Sequence, residues 1–386
     1  MPDTLPQSKG SYRWVICALL FFATTVNYTD RAVLGVLEPE LHEKIGWTST
    51  QYGLINGAFM VAYAFGSLGA GWLMDTIGVR VGYTISLIIW SVCAAAHALA
   101  HNPLQFALVR FGLGIGESGN FPGSIKAVAD WFPKKERALA TGIFNSGANM
   151  GAIVAPAVVP AVALLWGWQA AFYATGIAGL IWVFFWWPIY RHPEEHPALS
   201  PAELAYIRSD PQDRIEKIPW RKLLPYRQTW AFAVGKALTD PVWWFYLFWF
   251  SPFMHDRFNV DLKTIGLPMV IVYAMATVGS VAGGWMSSWL INAGWSTNAA
   301  RKTTMLLCAL CVTPVPLASI VEQPWVAVLL IGLAAAAHQA FSANLFTLTS
   351  DMFPRPAIGS VVGIGMFAGA LCGAVLQYFA GHLKDV

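Results

Sequence analysis

Charged residues stand inside long apolar runs of this sequence. Asp30 and Arg31 lie in the first run, and Arg110 and Glu117 in the fourth. A charge at the centre of a membrane span costs about 2.5–3.5 kcal/mol on insertion scales. Such residues therefore face a partner or a water-filled cavity. Arg110 and Glu117 are seven residues apart, nearly two helical turns, so they share a face roughly 10 Å apart. The stretch GIGESGNFPGS at 114–124 is mostly small residues and leaves room beside them. Two readings are open. One is a structural ion-pair cluster. The other is a proton site joined to an anion clamp. Burial disfavours a charged carboxylate and a nearby arginine favours it, so a carboxylate held between the two can load and release a proton.

Asn27 stands in the first run too, and further polar side chains stand in other apolar runs: Tyr63, Asn145 and Asn149, then His338, Gln339, Ser342 and Asn344. Asn145 and Asn149 are four apart and share a helical face. Lys236 and Asp240 have the same spacing, and simple pairing with each other accounts for them. The aromatic cluster from Trp243 to Phe250 either stacks on a sugar ring or meets lipid. Asn27-Tyr28-Thr29 matches a glycosylation sequon but lies within a span, which discounts it.

The elements that must position these residues are membrane helices. Hydrophobic residues make up 56% of the chain and charged ones 12%, about half the charge of a soluble domain. A span needs roughly 20 mostly apolar residues. Eleven such spans are predicted, at 14–37, 51–73, 81–100, 104–128, 138–163, 168–190, 230–253, 265–291, 302–320, 324–349 and 357–380. The first run is too long for a cleavable signal and reads as a span. All five cysteines fall in apolar runs, and the Cys308-x-x-Cys311 pair reads as packing rather than redox or metal chemistry. Residues 191–229 are charged and proline-bearing, and read as a linker between a bundle at 1–190 and another at 230–386. Seventeen Lys and Arg fall on the linker's side of the spans and four (Lys44, Arg257, Lys263, Lys384) on the other. Basic loops stay in the cytoplasm, so the N-terminus and linker are expected there.

The two halves repeat. DWFPKKERALATGI at 130–143 aligns with DMFPRPAIGSVVGI at 351–364, an offset of 221 residues. An even number of spans separates the copies, which predicts a parallel repeat about an axis normal to the membrane. The same offset pairs Glu117 with His338, placing an ionisable group at matching points of both halves. It also calls for a twelfth span beyond Val386; the sequence either stops short of it or departs from that architecture.

Two glycine patterns have structural meanings. Gly112, Gly114, Gly116 and Gly119 imitate a nucleotide-binding run, but no strand precedes them. In a span they permit close helix packing, as do Gly142, Gly147 and Gly151 before Pro156, where the helix could bend during gating. In GWLMDTIGVRVG at 71–82, Gly71 permits close approach, Gly78 makes the turn, and Arg80 offers Asp75 a partner. This G-x-x-x-D-x-x-G-x-R loop resembles the signature loop of the major facilitator superfamily; the second-half copy carries Ser287 and Ser288 near the acidic position and is degenerate.

Taken with Asn27-Tyr28-Thr29-Asp30-Arg31, Arg110 with Glu117, FNSGANMGA at 144–152, TDPVWWFYLFW and HQAFSANLFTLTSDMFP at 338–354, that loop resembles the anion:cation symporter family. This branch holds bacterial hexuronate and galactonate transporters and the animal vesicular glutamate and sialic acid transporters. The likeness covers essentially the whole chain and is strongest to hexuronate transporters. It implies an all-α fold of two six-helix bundles working by alternating access, in the bacterial inner membrane, as a monomer. It further implies Asp30 and Glu117 as proton-linked carboxylates, and Arg31 and Arg110 as partners of a substrate carboxylate. Tyr63 falls where the galactonate type places a substrate-contacting tyrosine. That type carries a glutamine near Ala148, where this sequence has Asn145 and Asn149, which suits a ring-form uronate better. The expected partners are a sugar acid, protons and lipid, with no nucleic acid, metal or cofactor. Other organic anions (galactonate, galactarate, tartrate, an aromatic acid) and a non-transporting anion sensor are the alternatives. An enzyme is not expected, because no nucleophile–base pair, metal-ligand cluster or phosphate loop has a credible context.

Overall fold

A computed structural model describes residues 10–209, 220–353 and 355–386. Apolar runs bounded by short polar turns fold as helices, because in lipid a helix satisfies its own backbone. The first set comprises α1 (Tyr12–Ile45), α2 (Ser49–Ile77), α3 (Val79–Ala96), α4 (Pro103–Glu117), α5 (Asn120–Trp131), α6 (Lys134–Trp166) and α7 (Trp168–Ile189). Two short helices follow, α8 (Pro201–Ile207) and α9 (Trp220–Leu223). The second set is α10 (Arg227–Phe258), α11 (Gly266–Asn292), α12 (Thr297–Val312), α13 (Pro324–Met352) and α14 (Arg355–Asp385).

Local chemistry sets the boundaries. The Thr48 side chain accepts from the Gln51 amide while Gln51 reaches back, a capping box that starts α2. Asn102 caps α4 ahead of Pro103. Gly46 ends α1 in the left-handed conformation, and Gly78 turns the chain between α2 and α3 at φ 80°.

Eight of the described helices are long and apolar enough to cross a membrane: α2, α3, α6, α7 and α11–α14. The other expected spans fall on α1, α4 with α5, and α10, the elements that carry Asp30 and Arg31, Arg110 and Glu117, and Lys236 and Asp240. The polar cost is therefore concentrated in three elements.

One expectation changes. The predicted span 104–128 is two helices, broken directly after Glu117 at Ser118 and Gly119. The Ser118 hydroxyl donates back to the Ile115 carbonyl at 2.6 Å, and the Gly119 amide donates to the Gly116 carbonyl at 3.3 Å. Its repeat partner, α13, is continuous. The 221-residue offset relates Pro103 to Pro324 at the starts and Trp131 to Met352 at the ends. At the break, however, Ser118–Gly119 corresponds to Gln339–Ala340, which propagate a helix better.

Glycines set the closest approaches. A Cβ on Gly147 or Gly151 of α6 would lie 2.4 Å from the carbonyl oxygen of Phe21 or Thr25 on α1. Gly114 lies as close to Phe59 of α2, and Gly116 to Trp90 of α3, each 2.5 Å from a backbone atom. The glycine run of α4 thus packs helices, as its setting predicts.

The two sets meet where α1 ends and α2 begins. Tyr52 donates to the Phe248 carbonyl at 2.7 Å, and Ser251 to that of Val36 at 3.3 Å. The Asp385 carboxylate accepts from the Ser49 and Thr50 amides at 2.8 and 2.7 Å. Gly35, Gly53, Gly266 and Gly381 lie against backbone of the opposite set. Toward the other end, a Cβ on Gly69, Gly142, Gly284 or Gly363 would meet open space.

The described start of the 191–229 stretch is folded against the first set. Arg13 at the head of α1 pairs with Glu203 of α8 at 3.0 Å and with Glu136 of α6 at 2.8 Å. Tyr206 donates to Glu136 at 2.8 Å. Arg208 pairs with Glu194 and donates to the Asp130 carbonyl at 3.2 Å. Burial raises the Glu194 carboxyl, but its own backbone amide and Arg208 outweigh this and hold it below its ordinary value.

Candidate functional site

Helix α1 delivers Asn27, Tyr28, Asp30 and Arg31 to the interior, where every residue from Thr29 to Glu38 is buried. All but Tyr28 are 2% exposed or less. Helix α4 brings Arg110 and Glu117, both fully buried, and α2 brings Phe59 and Tyr63. From the second set, α10 adds Trp244 and Phe248.

Arg31 is the centre of this cluster. Its Nε donates to Glu117 Oε2 in a short, buried ion pair. Its guanidinium carbon lies 4.5 Å from the Tyr28 ring centroid, 4.7 Å from Tyr63, 5.3 Å from Trp244 and 5.5 Å from Phe59. Four rings from three helices therefore hold one cation, and cation–π attraction strengthens when desolvated. Arg110 sits behind it and donates from Nη2 to the Arg31 carbonyl at 2.9 Å. It does not pair with Glu117, its neighbour on the same helix face; Arg31 takes that carboxylate.

Much of the cluster's hydrogen-bonding capacity is unused. Both Asp30 oxygens, both Asn27 side-chain polar atoms, Arg31 Nη2, Arg110 Nε and Nη1, and Glu117 Oε1 are buried and make no hydrogen bond. Buried polar groups are normally satisfied. A concentration of donors and acceptors in one place, of both charges, suits an exchange of partners more than a finished structural lock.

The other predicted residues divide. Tyr63 joins the Arg31 cage. His338 does not reach Glu117; its Nε2 lies 2.8 Å from the Thr239 carbonyl of α10, and its ring stacks on Trp243 at 6.1 Å. Asn344 binds the Gly283 and Ala340 carbonyls and accepts from Arg301, tying α11, α12 and α13 together. Gln339 and Ser342 are half-buried on α13, Asn145 is exposed and Asn149 half-buried on α6, and none of the four joins the cluster. Arg80 donates to the Trp187 carbonyl at the end of α7, at 3.0 Å from Nε, and lies over the Trp187 ring. Gly71 and the Asp75 side chain lie outside the described residues. Lys236 and Asp240 pair at 2.5 Å.

Sequence reasoning missed Tyr28 and Phe59 as site residues, and left Trp244 and Phe248 within an undivided aromatic cluster. It also missed His97, whose Nδ1 lies 2.7 Å from the Cys93 carbonyl and which stacks on Phe172 at 5.0 Å, close to Arg110.

Among the described residues no group of His, Cys, Asp and Glu is arranged to hold a metal ion. The Major Facilitator Superfamily model matches residues 20–376. The probable L-galactonate transporter of Escherichia coli K12 is 31% identical over all of this chain and 86% of its own length. The hexuronate transporter of the same organism is 30% identical over 97% of the chain and 88% of its length. The galacturonate transporter of Dickeya chrysanthemi is 30% identical over 82% and 93%. Among solved structures, a bacterial homologue of the human lysosomal transporter Spinster superposes with a TM-score of 0.80 at 20% identity, over 98% of this chain and 83% of its own.

Proposed function

The chain belongs to the Major Facilitator Superfamily, and from that premise we propose that it is a proton-coupled symporter of a hexuronate such as glucuronate or galacturonate. The chain is a multi-pass membrane transporter, not an enzyme. The observation that carries the proposal is the buried Arg31–Glu117 pair with unsatisfied Asp30 and Arg110 beside it. Hexuronate and galacturonate transporters at 30% identity over most of the chain support the substrate class.

Glu117 occupies the Nε of Arg31. When Glu117 takes a proton, its hold on the guanidinium weakens, and Arg31 offers its donors to the substrate carboxylate. Arg110 adds a second buried cation one residue layer behind. Asp30, the neighbouring carboxylate, takes part in loading and passing the proton. Proton and anion thus enter together, because a carboxylate anion beside Arg31 and an ionised Glu117 compete for one cation. Tyr28, Tyr63 and Trp244 supply flat faces for a sugar ring. The lysine and arginine bias supports a cytoplasmic N-terminus and linker, the bacterial relatives support an inner-membrane location, and in this reading the helices before and after the linker are two bundles that rock about the site.

Uptake of labelled glucuronate into proteoliposomes with an inward proton gradient tests this. Accumulation that collapses with an uncoupler is expected; uptake indifferent to the gradient would remove the proton from the mechanism. Glu117→Gln is expected to abolish accumulation while retaining exchange of internal for external substrate. Accumulation surviving in that variant would acquit Glu117 of coupling. The likeness to the L-galactonate transporter keeps an open-chain sugar acid as the second reading. Thermal-shift screening against glucuronate, galactonate and galactarate separates them, since a bound ligand raises the melting temperature.

A further inference from the structure

A second ion pair, Lys236–Asp240, stands near the first, its lysine buried and its carboxylate half-buried. Lys236 and Asp240 stand one turn apart on α10, joined at 2.5 Å, with Lys236 only 3% exposed. Trp244, one turn further along the same face, lies over Arg31. Asp240 is near enough to Tyr28 to act on it electrostatically, and Tyr28 in turn covers Arg31 at 4.5 Å. Tyr28 and Trp244 therefore separate two neutral pairs, Arg31–Glu117 from the first set and Lys236–Asp240 from the second.

The wall behind Lys236 and Asp240 is built to admit them. Gly369 of α14 is the residue Asp240 packs on, where a Cβ would lie 2.4 Å from Asp240 Oδ2; at Gly365 a Cβ would meet the Phe232 ring first and Lys236 Cγ at 3.1 Å. Lys236 Nζ sits 3.9 Å from the Phe346 ring centroid, and His338 is its other ionisable neighbour. A pair of this kind adds little stability over apolar residues of the same size, so its place beside the cage calls for another role. Its chemistry is complementary to that of the first pair. A charged donor and acceptor 2.5 Å apart, neutral as a pair, match two adjacent hydroxyls, one accepting from Lys236 and one donating to Asp240.

We propose that Lys236 and Asp240 form the hydroxyl-reading end of the site and bind a vicinal diol of the sugar acid whose carboxylate is held at Arg31. This rests on the sugar-acid reading above. It makes the pair a specificity element: Arg31 selects an acid, and Lys236 with Asp240 selects a hydroxylated one.

The test compares binding of D-glucuronate with that of tetrahydropyran-2-carboxylate, the same ring acid without hydroxyls, by calorimetry on purified protein. Wild type is expected to prefer glucuronate at least 30-fold. Asp240→Asn and Lys236→Gln should each cut that preference about tenfold by weakening glucuronate alone. The double variant Lys236→Gln/Asp240→Asn is neutral and nearly isosteric, so it preserves packing where a single variant leaves an unpaired charge. Loss of the preference in the double variant, with a melting temperature near wild type, supports the proposal. An unchanged preference, or equal weakening of both acids, overturns it and leaves the pair structural. A wild type that binds both acids equally also overturns it. A wild type that binds neither removes the sugar-acid reading itself.

Discussion

Arg31 illustrates how much one side chain depends on shape as well as charge. A guanidinium is flat, so it lies between rings and still donates in its plane. Here Tyr28 and Tyr63 are its nearest faces, at 4.5 and 4.7 Å, while Nε meets Glu117. Lysine keeps the charge but neither the plane nor the fork. Arg31→Lys is therefore expected to weaken glucuronate binding at least tenfold, about 1.4 kcal/mol, with a smaller loss of thermal stability. Equal affinity in the two proteins would show that a point charge suffices. Asp30, Arg31, Arg110 and Glu117 were legible in the sequence because charge inside an apolar run is costly and conspicuous. Their partners were not. Spacing placed Arg110 beside Glu117 on one helix, but a carboxylate bonds to whichever donor arrives with the better geometry, and that donor came from α1. The rings of the cage were illegible for the opposite reason: among 19 Trp, 12 Tyr and 23 Phe, an aromatic residue in a span carries no signal of its own.

At the scale of elements, the apolar runs located the long helices, while capping residues such as Thr48 and Asn102 set starts that the runs alone did not give. Nor did the runs give the break after Glu117. Serine and glycine are tolerated inside membrane helices, so the sequence GESG permits either a continuous helix or a turn, and contacts with α3 decide. A Cβ at Gly116 would meet the Trp90 backbone at 2.5 Å, and one at Gly119 the Ser86 side chain. Glycines on α6 let the same logic be tested quantitatively. Gly151 packs on Thr25, Tyr28 and Thr29 of α1, within 2.4–2.9 Å of an added Cβ, whereas Gly142 faces open space. Gly151→Ala should push α6 from α1 beside Tyr28, costing about 1–3 kcal/mol as overpacking does. It should lower both the melting temperature in detergent and the transport rate. Gly142→Ala should leave stability unchanged or slightly raised, through better helix propensity. The reverse order of melting temperatures would mean that α1 and α6 are not in this contact in the membrane.

For the whole molecule the question is which end is shut, and nothing in composition or spacing encodes it. Alternating access requires that the contacts joining the two sets at one end be breakable. Those contacts are backbone-dominated: Gly35 on Leu247, Gly53 on Gln377, Tyr52 to the Phe248 carbonyl. The most separable is Asp385, whose carboxylate accepts from the first two amides of α2, Ser49 and Thr50. An acid at a helix N-terminus satisfies donors that have no partner within the helix and meets the positive end of its dipole. Such a cap contributes about 1 kcal/mol, which is roughly a fivefold change in the ratio of two conformations. Asp385→Ala should therefore favour the state opened at this end. Gly57 reports on it: an added Cβ there meets only Ala374 O at 3.4 Å, so cysteine fits, and the position is buried in the seam. In a chain whose native cysteines are replaced by serine, a water-soluble maleimide should label Gly57→Cys several-fold faster when Asp385→Ala is added. Saturating glucuronate should change both rates, because substrate redistributes the same two states. Equal labelling with and without Asp385 would place the closing energy in the glycine contacts instead, and Gly53→Ala would then be the substitution that opens the seam.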